Sequence, residues 1–539
     1  MLTALPEADP SRTLIDELLA EQRQLTAVER FARQQDQHET PAQARYYRSL
    51  IPLDRPRPGE QYSFAVDLDL CTGCKACVSA CHSLNGLDDD EIWRSVGLLQ
   101  GGTADEPYQQ TVTTACHHCL DPACLNGCPV LAYEKDADTG IVRHLDDQCI
   151  GCQYCVLKCP YDVPKYSAKR GIVRKCDMCH GRLAAHEAPA CVQACPSGAI
   201  SIQLVSRTEI EHRCSIPNAQ LPGAFESSYA KPSTLYTSRK PQPGNSRPVD
   251  AQVLRLEPAH WPLVWMLVLT QTAAGMLLVS WLTALLAPQS FAIGRGALAI
   301  CAFVLLQLGL AASIFHLGRP LGAWRAFLGF RHSWMSREIV AFGLLAIASG
   351  VFVISALSGR IAAASQALAG IAALLGCLSV FCSAMIYVDT PRISWSRAFT
   401  FPRFFGTALL LGSGGAACVF GCGAGSSNTA LAAAWAAMAI RTTLFAWEAQ
   451  LLLRSLNAPS KPNHSAALLS WQFLKPLLVA RIALFFLSTW FGLFGIFISG
   501  HHAFWLATIS FLSTFSSQMI ERYCFFVTAA SPRMPGGAG

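Results

Sequence analysis

Sixteen of the 23 cysteines in this 539-residue chain fall in four boxes. They are Cys71, Cys74, Cys77 and Cys81; Cys116, Cys119, Cys124 and Cys128; Cys149, Cys152, Cys155 and Cys159; and Cys176, Cys179, Cys191 and Cys195. The first and third share x2, x2, x3 spacing, while the second has x4 at its centre and the fourth x11. Proline follows the last cysteine in three of them, at Pro129, Pro160 and Pro196. Three closely spaced thiolates suit three corners of an iron–sulfur cubane, and a fourth ahead of proline reaches a neighbouring one. The expected chemistry is one-electron transfer, and sixteen ligands make four 4Fe-4S clusters.

Two plainer readings fit less well. Disulfides need an oxidising compartment, and residues 1–60 show neither an export signal nor a twin-arginine pattern. Zinc takes four ligands per site and gives no reason for the third close cysteine or the trailing proline. The spacing permits, without requiring, a nested exchange of ligands. Cys71, Cys74 and Cys77 then take Cys195, and Cys176, Cys179 and Cys191 take Cys81. Cys116, Cys119 and Cys124 take Cys159, and Cys149, Cys152 and Cys155 take Cys128. The third box becomes an inner station of a four-cluster relay. The other cysteines, Cys214, Cys301, Cys377, Cys382, Cys418, Cys422 and Cys524, are scattered and read as small apolar packers.

The elements that must position these thiols divide the chain. Residues 1–60 form a helical extension, with capping boxes at Thr13 and Asp16 and at Thr26 and Glu29. Leu14, Leu18, Leu25 and Val28 mark an apolar face, expected to pack on the iron–sulfur domain. Residues 61–204 hold the four-cluster domain, with short strands expected at 64–67, 140–143 and 199–202 and a surface loop at 180–190. So small an apolar core makes the clusters its folding nuclei. Residues 205–258, rich in Pro, Ser and Gly, read as a linker; residues 259–528 read as a membrane anchor, and 529–539 as a tail. The fold class is an α+β ferredoxin-like poly-4Fe-4S domain followed by an all-α bundle of eight transmembrane helices.

The eight spans are expected at 261–287, 293–315, 338–357, 361–388, 404–423, 428–452, 470–499 and 502–526, each long enough to cross about 30 Å of hydrocarbon. An even number puts both ends on one side. Fifteen lysines and arginines flank the spans on that side, against Arg295 and Arg360 opposite. The positive-inside rule therefore turns the iron–sulfur domain to the cytoplasm, as part of a multi-pass protein of the inner membrane. The net charge of +6 needs no nucleic acid to explain it. Arg143, Lys158, Lys165, Lys169, Arg170, Arg174 and Lys175 stand among the later boxes, where they offset cluster charge or form a solvated surface.

Ionisable residues in spans are functional candidates, because lipid makes them costly. His316 ends the second span and Glu338 begins the third, with Arg337 beside it. A quinone exchanges two electrons and two protons, so its site needs a titratable group beside a one-electron relay, and histidine with a carboxylate suits that work. The plainer reading is an interfacial histidine and a Glu338–Arg337 pair. Arg441 and Glu448, seven residues apart on one helical face, read as an internal polar clamp, and His501 and His502 as interfacial.

Two stretches carry a resemblance. CTGCKAC at 71, CIGCQYC at 149, CPYDVPKY at 159 and KCDMC at 175 resemble the four-cluster subunit of the dimethyl sulfoxide reductase family. HLGRP at 316–320, SREI at 336–339 and FFGTALLLG at 404–412 resemble the eight-helix anchor subunit of those enzymes, including the cytoplasmic sulfite-oxidising type. The chain looks like a fusion of the two. The resemblance implies the nested ligand exchange and a menaquinone or ubiquinone site at His316, Glu338 and Arg337. It also implies a separate large catalytic subunit carrying molybdopterin. Two alternatives stand beside it: a membrane-bound ferredoxin hub of a hydrogenase or formate dehydrogenase, and a structural anchor without quinone chemistry. The hub's anchors usually carry mid-span haem-ligating histidines, which these spans lack.

Overall fold

The computed structural model describes residues 44–217, 220–358, 362–421, 427–458, 463–498 and 501–535, with scattered positions between 13 and 33. The first half runs α1 (Ala44–Tyr47), β1 (Glu60–Asp67), α2 (Ala76–Asn85), β2 (Ser95–Gly102), β3 (Pro107–Thr114) and α3 (Ala123–Gly127). It continues with β4 (Tyr133–Lys135), β5 (Val142–His144), α4 (Tyr154–Lys158), β6 (Lys165–Ser167), β7 (Ile172–Arg174), α5 (His180–Ala184) and α6 (Ala190–Gln193). Last come β8 (Ile200–Ser206), α7 (Arg207–Ser215), β9 (Leu235–Thr237) and β10 (Arg247–Pro248).

β1 is buried over residues 61–66, as a strand covered on both faces must be. It pairs antiparallel with β8, Val66 opposite Ile200, and parallel with β9, Ala65 opposite Leu235. The outer chain ends of the cysteine region are thereby clamped together. The three expected strands fall in or beside β1, β5 and β8. The expected loop at 180–190 opens instead with α5.

The stretch 205–258 is built into the domain despite its loop-like composition. It supplies α7, β9 on β1, and β10 on β2. Met534, from the C-terminal tail, is also buried in the iron–sulfur core. Both capping boxes form, Thr13 N–H reaching Asp16 Oδ2 at 2.9 Å and Thr26 N–H reaching Glu29 Oε2 at 2.7 Å. Val28 is exposed rather than packed, and Leu14, Leu18 and Leu25 lie outside the described residues, as do Arg360, Cys422 and Lys461.

The second half holds α8 (Trp261–Leu286), α9 (Pro288–Ile314), α10 (Trp334–Ser358), α11 (Ala362–Val388) and α12 (Arg397–Gly421). α13 (Ser427–Leu456), the short α14 (His464–Gln472), α15 (Lys475–Phe497) and α16 (His501–Val527) complete it. Among the described residues seven helices are long and apolar enough to cross a membrane. The expected eighth span, α16, has the length, but Ser510, Ser513, Thr514, Ser517, Gln518, Glu521 and Arg522 make it more polar. The expected seventh span at 470–499 is two helices, since Pro476 starts α15 afresh. α10 begins at Trp334, which puts Glu338 a turn inside it, and His316 lies beyond the end of α9.

Of the scattered cysteines, Cys214 and Cys382 are buried as expected of packers, whereas Cys301 is exposed. The expected Arg441–Glu448 clamp is replaced by contacts to other helices. Arg441 donates to Ser510 Oγ at 3.3 Å, while Glu448 pairs with Arg481 at 2.7 Å.

The iron–sulfur domain rests on the end of the bundle from which the loops after α9 and α11 emerge. One apolar core runs through the boundary, joining Cys149, Ile150 and Tyr154 to Val264, Ala326, Tyr387 and Trp395. Tyr154 donates its hydroxyl to the Ile386 carbonyl at 3.2 Å, and Lys158 pairs with Asp389 at 2.8 Å. Arg319 and Arg325 donate to the carbonyls of Asp146 and Asp147. The arginine-rich loops and the iron–sulfur domain thus share one face of the bundle.

Candidate electron-transfer site

The shared spacing of boxes one and three has a backbone cause. Gly73 and Lys75 have φ of 75° and 60°, and Gly151 and Gln153 repeat this at 69° and 58°. Two left-handed residues wrap the chain tightly and turn its N–H groups inward. Gly151 N–H points at Cys149 Sγ at 3.4 Å, and Met178 N–H at Cys176 Sγ at 3.4 Å. Ala132 N–H approaches Cys128 Sγ at 3.2 Å. Such hydrogen bonds favour negatively charged sulfur.

The fold gathers the sixteen thiols into four quartets, each within mutual electrostatic reach. The distal quartet is Cys71, Cys74, Cys77 and Cys195. The next is Cys81, Cys176, Cys179 and Cys191. The third is Cys116, Cys119, Cys124 and Cys159. The membrane quartet is Cys128, Cys149, Cys152 and Cys155. These groupings match the nested exchange that spacing permitted.

One cavity is lined by the thiols of the third quartet, and another by those of the distal quartet. Neither has a carboxylate in its lining. Among the described residues no three such ligands converge closely enough for a single metal ion. Burial pushes the Cys81 thiol up to about 12, with the Cys191 thiol adding to the effect, and burial carries Cys128 to about 11. Buried thiolates need positive charge among them, which iron supplies. The donor set therefore fits 4Fe-4S clusters.

The quartets form a row. Cys191 lies within electrostatic reach of Cys77, linking the distal quartet to the next, and Cys176 within reach of Cys116, linking that to the third. The third and membrane quartets exchange cysteines between boxes two and three. Box three, expected as an inner station, therefore stands at the membrane end. Only its Cys159 faces inward. At the other end Cys74 is exposed.

His316 meets the membrane quartet directly, its Nε2 lying 3.2 Å from the Cys152 carbonyl oxygen. His260, unremarked in the sequence, packs edge-on against it with ring centroids 5.1 Å apart. Burial holds His316 below the usual imidazole range, and His260 at about 4, so both are neutral near pH 7. Glu338 is buried within electrostatic reach of Tyr154 and Tyr387. Arg337 is no ion-pair partner for it. Its guanidinium donates to the carbonyls of Phe330 and Arg331 and covers the Trp334 ring at 4.4 Å.

The cations among the boxes separate into two kinds. Lys169 and Arg170 are exposed, and Arg143 and Lys165 pair with Glu134 and Asp162. Lys158, Arg174 and Lys175 are buried, Arg174 against Glu91 at 3.0 Å. Arg94, 2% exposed, escaped notice because it stands outside every box.

Fold and site together define an iron–sulfur relay joined in one polypeptide to a multi-pass membrane anchor. Residues 257–527 match the family model of the DMSO reductase anchor subunit, DmsC, and residues 108–205 match that of the 4Fe-4S dicluster domain. The protein is 37% identical over 172 residues to the B subunit of anaerobic dimethyl sulfoxide reductase of Haemophilus influenzae, covering 30% of its own length and 83% of that protein. It is 37% identical over 196 residues to YnfG of Escherichia coli K12, a probable anaerobic dimethyl sulfoxide reductase subunit, covering 35% and 92%. The hydrogenase-2 operon protein HybA of Escherichia coli O157:H7 is 34% identical over 171 residues, covering 27% and 52%. The chain belongs to the dimethyl sulfoxide reductase family, as a fusion of its iron–sulfur and membrane-anchor subunits. It carries 4Fe-4S clusters and relays electrons to or from its own membrane anchor.

Proposed function

We propose that the chain relays electrons between a membrane quinone/quinol pool, menaquinone or ubiquinone, and a separate large catalytic subunit carrying molybdopterin, through four 4Fe-4S clusters. The carrying observation is the contact of His316 with the backbone of Cys152, which joins a titratable group of the anchor to the membrane quartet. Bound clusters supply stations that each accept and release one electron. The four quartets hold these stations by their thiolates. His316 and Glu338 bind the quinone oxygens and exchange their protons with water, while Arg337 braces the adjoining 330–331 turn. Cys74 marks the face that meets the catalytic subunit. The anchor spans the membrane eight times through residues 259–528, and the loop arginines turn residues 61–204 to the cytoplasm.

The test uses the full chain purified from membranes. About sixteen irons with matching sulfide are expected, four per cluster. Quinol should reduce the clusters, followed by EPR, and His316→Phe or Glu338→Gln should slow this at least about tenfold with iron content unchanged. Cys195→Ser should disturb the cluster of Cys71, Cys74 and Cys77 alone. Full-rate reduction in both anchor variants would remove the quinone site. A co-purifying large subunit without molybdenum would remove the catalytic assignment.

A further inference from the structure

Two buried cations stand in the gaps between successive quartets. Lys175 is 2% exposed, and its ammonium donates to Cys116 Sγ of the third quartet at 3.6 Å and to the carbonyl of Cys176, a ligand of the next, at 2.8 Å. It also donates to the Val142 carbonyl. Arg94 fills the following gap. Cys77 of the distal quartet and Cys81, Cys176 and Cys191 of its neighbour all lie within its electrostatic reach. One of its nitrogens donates to Thr113 Oγ1 at 3.2 Å, and Thr113 Oγ1 itself lies 3.6 Å from Cys77 Sγ. The guanidinium covers the Phe64 ring at 4.7 Å.

Among the described residues neither cation forms an ion pair, although Asp177 is within electrostatic reach of Lys175. The remaining gap, between the third and membrane quartets, differs. Lys158, in the chain between Cys155 and Cys159, has its charge matched by Asp389 at 2.8 Å. A buried charge without a counter-ion is costly, so Lys175 and Arg94 need negative charge close by. The thiolates on either side supply it.

We propose that Lys175 and Arg94 are electrostatic tuning residues, each lowering the repulsion between the two stations it separates and holding both at higher reduction potential. The inference rests on the four-cluster function proposed for the chain. Each transfer along the row moves one electron, oxidising the station it leaves and reducing the one it reaches by one unit. Every reduction adds one negative charge to a station already negative, and a fixed cation nearby stabilises that product more than the reactant. Because one cation touches two stations, it raises both and changes their difference little. All three stations flanking Lys175 and Arg94 are thereby raised, the middle one by both cations, while the membrane quartet, beside a neutralised pair, is left to its own surroundings.

The test is a potentiometric EPR titration of the full-length protein in detergent, wild type against Lys175→Met and Lys175→Arg. In the Met variant the stations of Cys116 and of Cys176 should both become harder to reduce, by at least about tenfold in the reduced-to-oxidised ratio at fixed poise, which is about 59 mV for one electron. The membrane and distal stations should move less, and Lys175→Arg should restore the wild-type values. Arg94→Gln against Arg94→Lys repeats the test in the next gap and serves if the Met variant does not assemble. Unmoved potentials, equal shifts at all four stations, or an Arg variant as displaced as the Met variant would each overturn the proposal. Iron and sulfide are measured first: fewer than four clusters in the wild type overturns the four-cluster function, whereas four clusters with unmoved potentials overturns only the tuning role.

Discussion

The Nε2 atom of His316 lies 3.2 Å from the carbonyl oxygen of Cys152. One residue of the loop after α9 therefore touches the peptide that carries a thiol of the membrane quartet, and no side chain intervenes. Around this contact the backbone of Arg319 donates to the Ile150 carbonyl at 3.0 Å, and His260 closes the other side of the ring. The loop that bears the candidate proton-exchanging group is thus locked to the cysteine box in register.

A perturbation at His316 should be visible spectroscopically at the membrane station. Adding a quinone-site inhibitor to the reduced protein is expected to alter the EPR line shape of the Cys128, Cys149, Cys152 and Cys155 cluster only. In His316→Ala that response should disappear while the other signals stay as they were. A line shape that responds equally in the variant would place the inhibitor elsewhere.

Lys158 and Asp389 join the two modules through a largely buried ammonium and a partly exposed carboxylate. Losing a hydrogen bond to a charged partner costs about 1.5–3 kcal/mol. Thermal unfolding of Lys158→Met, Asp389→Asn and the double variant should give a coupling energy of this order. Single variants that add without coupling would show the pair to be incidental.

Gly318 sits where the loop after α9 crosses the backbone of Gly171, closely enough that a methyl group at residue 318 would overlap the Gly171 carbonyl. Gly318→Ala should lower stability by about 1–3 kcal/mol, the usual cost of overpacking, and loosen the iron–sulfur domain towards protease. Gly343, in α10, has open space around it. Gly343→Ala should be neutral or stabilising by up to about 1 kcal/mol through helix propensity. Equal effects from the two would contradict the close approach.

Acid should loosen the boundary through His260. Burial, with His316 and Arg392 nearby, holds its pKa at about 4 against an ordinary 6.5. The unfolded or undocked chain therefore binds the proton more readily, so stability is whole above pH 6.5 and falls as the pH drops towards 4, by at most about 1.4 kcal/mol per unit. Unfolding temperatures at pH 7.5 and 5 should converge in His260→Phe relative to the wild type. An unchanged acid sensitivity would assign it to other groups.

Cluster chemistry was legible because local spacing governs it: C-x-x-C-x-x-C brings three thiols together by short-range backbone turns, whatever surrounds them. Long apolar runs likewise announce membrane helices, since length and hydropathy suffice. α16 blurred that signal by turning its polar face to Arg441, Gln271 and Thr407 instead of lipid. Residues 205–258 misled because loop composition says nothing of edge pairing, and β9 and β10 find their partners more than 140 residues away.

Residue types and spacing alone thus settled the sixteen thiols, the relay chemistry and the apolar anchor. Which thiols share a quartet, which quartet faces the membrane and which lysine lies between two of them depended on contacts between distant segments. A lysine at 169 and a lysine at 175 are the same letter in the chain, yet one is solvated and the other is enclosed by thiols. Burial is a property of what packs around a side chain, and only the folded arrangement of β1, the cysteine loops and the bundle end supplies it.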